Sequence, residues 1–322
     1  MAQSSWKSIL VAVSDPFRKQ QIAVAKAAAI AARCGARLTL LNTFMLPQPP
    51  HDAKPMSSKA ILDATVHERY QRLEKLAYPI RKQGVDVHCL AEWDFPPHEA
   101  IVRYAQKHKC DLVVADSARH NRITRWFLAN TDWELIRACP CPLWFVRSPS
   151  LPQSPSFLVA VDPRHTHAKP AQLDDRLLQT AGRAARMLGG SVRIAHAYEL
   201  PASAGSATII EPMRIPVSPE RARHFERDLK QQLEQLARKY DISPANRHLS
   251  MGEPATVLPD LAAKLRVHAL VMGAVSRSGV ERAFIGNTAE KIIDHVACDV
   301  LIVKPANFKS AVKSRKPHLV GS

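Results

Sequence analysis

The residues best suited to chemistry lie in the stretch VMGAVSRSGVERAFIGNTAEKIIDHVACDVLIVK, residues 271–304. An apolar run ending at Met272 leads into Gly273, Ser276 and Gly279, and Gly286-Asn287 then opens an amphipathic segment. Backbone that approaches a polyanion closely needs residues with little or no side chain. A helix start adds free N–H groups and the positive end of a dipole. The spacing therefore predicts a strand, a phosphate-type loop, a helix and a last buried strand at 300–303, with an anion held where the helix begins.

Each of these residues also has a plain structural use. Asn287 with Glu290 three positions on forms a capping box, worth about 1 kcal/mol whether or not a ligand is present. Gly273 and Gly279 could simply permit positive φ in a tight loop. Asp162 precedes Pro163 and could cap a turn, and His165 and His167 follow on the same edge. No Walker lysine follows the glycine loop, and neither a nucleophile elbow nor a spaced His/Cys metal set occurs. Nothing supplies an activated water or a positioned base, so any ATP hydrolysis would be slow and incidental. Cys139-Pro140-Cys141 has one residue between its sulfurs rather than the two or more of zinc knuckles, and buried thiols beside a strand are expected there.

The elements that must position these residues occur twice. Residues 8–15, SILVAVSD, match 156–162, SFLVAVD, and NTDWELIRACPCPLWFVR at 130–147 matches NTAEKIIDHVACDVLIVK at 287–304. The Pro/Ser-rich SPSLPQSPS at 148–156 carries no apolar periodicity and reads as linker. The expected divisions are 1–148, a linker at 149–156, 157–305, and a basic tail at 306–322. In each part apolar runs such as Phe157–Val161 alternate with amphipathic segments, for example Ala222, Phe225, Leu229, Leu233 and Leu236. The first part reads as strands 8–14, 37–43, 85–91, 111–115 and 142–147, with helices 20–34, 58–83, 96–108 and 130–138 between them. Five strands with helical crossovers predict a doubly wound, Rossmann-like α/β sheet in each half. With order 3-2-1-4-5, strand 1 ending at Asp162 and strand 4 ending at Gly273 share one crevice, where such sheets bind ligands. Long connections leave the same edge: 45–57 with four prolines, and 199–217 with Ile209, Ile210, Met213 and Ile215. The second could cover a pocket or partner, or be an ordinary surface loop.

The chain has 322 residues, 46% of them hydrophobic, enough for two cores. No apolar run reaches the roughly 18–20 residues of a membrane span, and Ile9–Val13 is too short for a signal-peptide core, so a cytoplasmic protein with reduced thiols is expected. The formal net charge of +16 favours anionic partners such as nucleic acid or anionic lipid, without specifying one.

The repeated strand–helix order, the segment GAVSRSGVERAFIGNTAEKIIDHVACDVLIVKP and Asp162 resemble the universal stress protein family, in its tandem two-domain branch, over residues 7–305. The resemblance implies an adenine nucleotide alpha hydrolase-like fold and pairing of the fifth strands into an intramolecular pseudo-dimer. It also implies survival under stress, including DNA damage, exerted by binding rather than chemistry. Nucleotide-binding members carry Gly-x2-Gly-x9-Gly-Ser/Thr. Here Gly273 and Gly286 match, Ser276 replaces the second Gly, and Asn287 replaces the Ser or Thr. The resemblance makes Asp162, Met272, Gly273, Ser276, Gly279, Gly286, Asn287 and Thr288 the contacts for ATP or AMP, with Mg accompanying the nucleotide and no other metal. In the first half the matching positions are Asp116, Arg119, Arg122 and Ala129, a carboxylate and bulky side chains that oppose phosphate. A weak ATPase switch and a scaffold using the basic surface and tail (Lys309, Lys313, Arg315, Lys316) are the competing readings.

Overall fold

A computed structural model describes residues 5–45, 58–116, 125–164, 172–200, 218–273 and 287–313, with the side chains of 58, 125–131 and 287 left out. The first half runs β1 (Ser8–Ala12), α1 (Ile22–Cys34), β2 (Arg37–Phe44), α2 (Ser58–Lys82), β3 (Val87–Trp93), α3 (Pro97–Lys107), β4 (Leu112–Asp116), α4 (Arg125–Ala138) and β5 (Leu143–Val146). The second runs β6 (Ser156–Ala160), α5 (Leu173–Leu188), β7 (Ser191–Tyr198), α6 (Pro219–Lys239), β8 (Arg247–Met251), α7 (Pro254–Lys264), β9 (Ala269–Gly273), α8 (Asn287–His295) and β10 (Asp299–Val303).

The strands form a single ten-stranded sheet in the order β3-β2-β1-β4-β5-β10-β9-β6-β7-β8. Each half thus has the order 3-2-1-4-5, parallel throughout, and the halves join where β5 meets β10 antiparallel, with Leu301 opposite Trp144. The fifth strands pair as expected, which hides two sheet edges that would otherwise offer unpaired backbone to other chains. Continuous apolar runs such as Leu143–Val146 and Val300–Val303 are buried along their whole length, because helices cover both faces. One core lies under α1, α2, α5 and α6 and includes Trp6, Trp144 and Phe157. The other lies under α3, α4, α7 and α8 and includes Phe145, Leu270 and Ile302. Both run across the seam.

Polar groups tie the seam. Lys26 Nζ on α1 lies 2.9 Å from Asp299 Oδ2 at the start of β10, and both side chains are buried. Trp144 Nε1 donates to the same carboxylate at 3.0 Å and the Arg147 N–H at 2.8 Å, so the buried charge is well solvated by protein.

Three elements begin two or more residues from where the periodicity predicts, among them α1, which starts at Ile22 rather than 20. β3 starts at Val87 rather than 85, because Gly84 turns the chain with φ +84° and the full length of β2 pairs as far as Phe44 opposite Trp93. The helix expected at 130–138 starts five residues earlier, at Arg125. Arg125-Trp126-Phe127-Leu128-Ala129 contains no glycine or proline, so nothing in it breaks a helix.

Candidate functional site

The site is built from two neighbouring strand ends. β6 and β9 run parallel, with Val159 opposite Val271, so continuing each strand brings Asp162 and Gly273 to the same edge of the sheet. From β6 the chain turns one way to β7, while β9 lies on the other side, which makes this the switch point of the second half. Asp162 is 3% exposed, and its backbone N–H donates to Asp174 Oδ2 at 3.0 Å. Asp174 itself is buried in the first turn of α5, where a carboxylate also suits the positive end of the helix. The buried His196 ring lies 2.9 Å from the Val161 carbonyl through Nδ1, closing the floor beneath Asp162.

Gly273 ends β9, and a Cβ there would meet Leu173 Cδ2 at 2.7 Å. The missing side chain therefore lets the first residue of α5 pack against the strand end, a structural use independent of any ligand. Met272 is buried in the core on one face of the sheet. Asn287 opens α8, leaving first-turn N–H groups without intrahelical acceptors. Thr288 is exposed beside it. Glu290 lies 3.9 Å from Arg137 of the first half, so its carboxylate joins an ion pair across the seam. Ser276, Gly279 and Gly286, the side chain of Asn287, and His165 and His167 lie outside the described residues, as does the 201–217 part of the long connection.

The first half builds the same edge differently. Asp116, at the position of Gly273, turns its carboxylate onto α1: Oδ1 accepts the Ala23 N–H at 2.8 Å, and Oδ2 lies 3.9 Å from Arg18 Nη1. Burial holds this carboxyl above the usual carboxylate range, against the opposing pull of the Ala23 N–H and Arg18. Two strands away, near the end of β2, the buried Asn42 donates to the Val13 carbonyl at 2.6 Å and accepts from Arg69 at 3.1 Å. The Arg69 guanidinium lies 4.5 Å from the centre of the Phe44 ring. Asn130-Thr131, the counterpart of Asn287-Thr288, sits inside α4 rather than at its start, so its N–H groups do not face a crevice. Arg119 and Arg122 lie outside the described residues, and Ala129 is part of the α4 backbone.

Sequence reasoning missed Leu173, Asp174, His196, Asn42 and Arg69. Only Asp174 carried a readable signal, as one of two acidic residues at a helix start. Among the described residues, no group of three or more His, Cys, Asp or Glu side chains could hold a metal, and no helix is long and apolar enough to cross a membrane.

Two doubly wound halves fused through their fifth strands, each with a switch point where the strand order reverses, define a tandem α/β protein. The sequence profile described as the Universal stress protein family matches the chain twice, at residues 5–147 and 156–304, and the chain belongs to that family. Its function accordingly lies in the stress response. It is 26% identical to universal stress protein E of Photorhabdus laumondii, over 97% of this chain and 99% of that one. With universal stress protein E of Escherichia coli K12 it shares 28% identity, over 94% and 96%. A solved universal stress protein from Archaeoglobus fulgidus superposes with TM-score 0.63 at 15% identity, covering 93% of this chain and 97% of that one, which establishes likeness of fold.

Proposed function

We propose that this chain is a non-catalytic stress-response protein whose second half binds an adenine nucleotide, ATP or AMP, while its first half does not. The observation that carries the reading is the juxtaposition of Asp162 and Gly273 at the β6/β9 switch point. The start of α8 at Asn287 supports it by offering unsatisfied N–H groups where phosphate would lie. In this reading Asp162 holds the ribose or adenine edge. Met272, Gly273, Ser276, Gly279, Gly286, Asn287 and Thr288 surround the rest, with Mg entering only with the nucleotide. Asp162 and Gly273 at the strand ends and the start of α8 support such a ligand, and Gly273 serves α5 packing as well. The divisions at 148 and 156, a cytoplasmic location and a contribution to DNA-damage resistance belong to the same proposal.

The test is mass spectrometry of small molecules released from the purified protein, followed by titration calorimetry with ATP and AMP. One nucleotide per chain is expected, weakened at least tenfold in Asp162→Ala. Absence of both released nucleotide and binding heat would overturn the reading. If wild type hydrolyses ATP no faster than Gly273→Val, the weak-ATPase reading also falls.

A second reading, a scaffold for nucleic acid or anionic lipid, has the +16 charge behind it. Its mark is a steep fall of log affinity with log salt, reduced by deleting residues 306–322.

A further inference from the structure

The cysteines form a second site, independent of the nucleotide reading. All six are unpaired. Two of them meet in the turn between α4 and β5: Cys139 Sγ and Cys141 Sγ are 3.6 Å apart, and Cys139 Sγ is also 3.5 Å from the Cys141 carbonyl oxygen. Cys139 is 1% exposed, whereas Cys141 is only half-buried, so Cys141 is the nearer of the two to solvent. The pair lies against the interdomain seam, where Lys304 at the end of β10 is buried close enough for its charge to act on Cys139. The corresponding turn of the second half reads Val296-Ala297-Cys298 and has a single thiol.

We propose that Cys139 and Cys141 form a reversible dithiol–disulfide site that is oxidised by low-molecular-weight disulfides. The sulfurs are already at contact distance, and a disulfide requires them to approach to about 2.05 Å. In the first step the Cys141 proton passes to Cys139 along their 3.6 Å contact, and the Cys141 thiolate so formed attacks one sulfur of the small disulfide. Its S–S bond breaks, one small thiolate leaves, and a mixed disulfide stands on Cys141. The Cys139 thiolate then attacks Cys141 Sγ, the second small thiolate leaves, and the intramolecular bond closes. The two protein thiols give up two electrons and two protons, and the small disulfide becomes two thiols.

The greater exposure of Cys141 gives it the first attack, and the electrostatics favour Cys139 as the thiolate of the closing step. The hydrogen bond from Cys141 lowers the Cys139 thiol, burial opposes this, and the charge of Lys304 assists. The same hydrogen bond, together with burial, raises Cys141, the partner that holds the proton. Burial brings Lys304 down to about 8, so it is still mostly an ammonium at neutral pH. Cys110 also acts on the pair, but the described residues offer no third ligand geometry for a metal, which favours exchange over metal binding.

The test incubates the full chain in glutathione redox buffers, blocks free thiols, and maps tryptic peptides. Cleavage after Arg137 and Arg147 isolates both sulfurs in ACPCPLWFVR. The expected result is a peptide lighter by two hydrogens that resists alkylation and recovers on reduction. Cys139→Ser should stop at a glutathione adduct on Cys141. Lys304→Gln, checked for unchanged unfolding, should slow closure of the mixed disulfide about threefold, because losing the ammonium charge reduces the Cys139 thiolate while greater nucleophilicity offsets part of the loss. Cys110→Ser should leave closure unchanged. Full alkylation of both cysteines after oxidation, or a Cys139–Cys110 disulfide instead, would overturn the proposal.

Discussion

The ends of β4 and β9 occupy equivalent places in the two halves, and one residue separates their chemistry. At the end of β4, Asp116 carries a carboxylate that caps the α1 backbone at Ala23. At the end of β9, Gly273 carries no side chain, and Leu173 of α5 fills the space beside it. Each solution stabilises the junction between the fourth strand and the first helix, one by a hydrogen bond and the other by apolar packing. Only the second leaves the strand end without a fixed negative charge. The following helix differs in the same sense: α8 begins at Asn287, while α4 begins a turn and a half before the matching Asn130. The two strand ends therefore differ in charge: Asp116 places a carboxylate at the end of β4, and Gly273 places none at the end of β9.

The largest effect is expected where the halves depend on each other. Lys26 and Asp299 form a buried ion pair without a symmetric copy, since the matching positions hold Thr180 and Pro142. Asp299→Ala leaves Lys26 buried without its carboxylate and should cost about 3–5 kcal/mol in urea unfolding. A loss shared by both halves in one transition would join them as a single cooperative unit; two separate transitions would split the comparison into independent domains.

Importing the first half's residue into the second comes next. Gly273→Asp drives a Cβ into Leu173, a buried side chain, and should destabilise by about 1–3 kcal/mol. Leu173→Ala in the same chain should recover part of that loss while nucleotide affinity stays abolished. Recovery of affinity together with stability would show that charge at this place does not matter.

The reverse change is milder. Asp116→Ala removes the acceptor for the Ala23 N–H and should cost about 1 kcal/mol, read by chemical denaturation. It should confer no nucleotide binding on the first half, because Asn130 remains inside α4.

The smallest effect is a pH dependence. Burial raises the Asp116 carboxyl above its ordinary value of 3.8, so between that value and its folded one the native state binds the proton more tightly than the unfolded state. Asp116 therefore contributes stability that is gained as pH falls through that window and lost as pH rises through it. Comparing wild type with Asp116→Asn by unfolding at pH 7 and near pH 5 should isolate a flatter profile in the variant; identical profiles would place the carboxyl in water.

Much of this was legible in the order of residues. The apolar runs, their amphipathic spacers and the repeated NT motif led to two doubly wound halves, because burial on both faces leaves a period-free apolar signature, while the β5–β10 pairing was implied by the family resemblance alone. Asp162 and Gly273 could be paired before any coordinates, since strand order alone puts their ends side by side. The early start of α4 was not legible because the matching sequence of the second half carries Gly286 just before Asn287, and that alignment outweighed the helix-forming residues at 125–129.

The chain's local chemistry, read along its length, determined which segments become strands and helices, where the duplication lies, and which copy kept its glycines. It could not determine that Asp116 caps a helix 93 residues away, that Leu173 fills the place beside Gly273, or that Lys26 meets Asp299. Those contacts are set by the angle and depth at which each helix settles on the sheet. That placement depends on the packing of both cores at once and leaves no periodic trace in the chain.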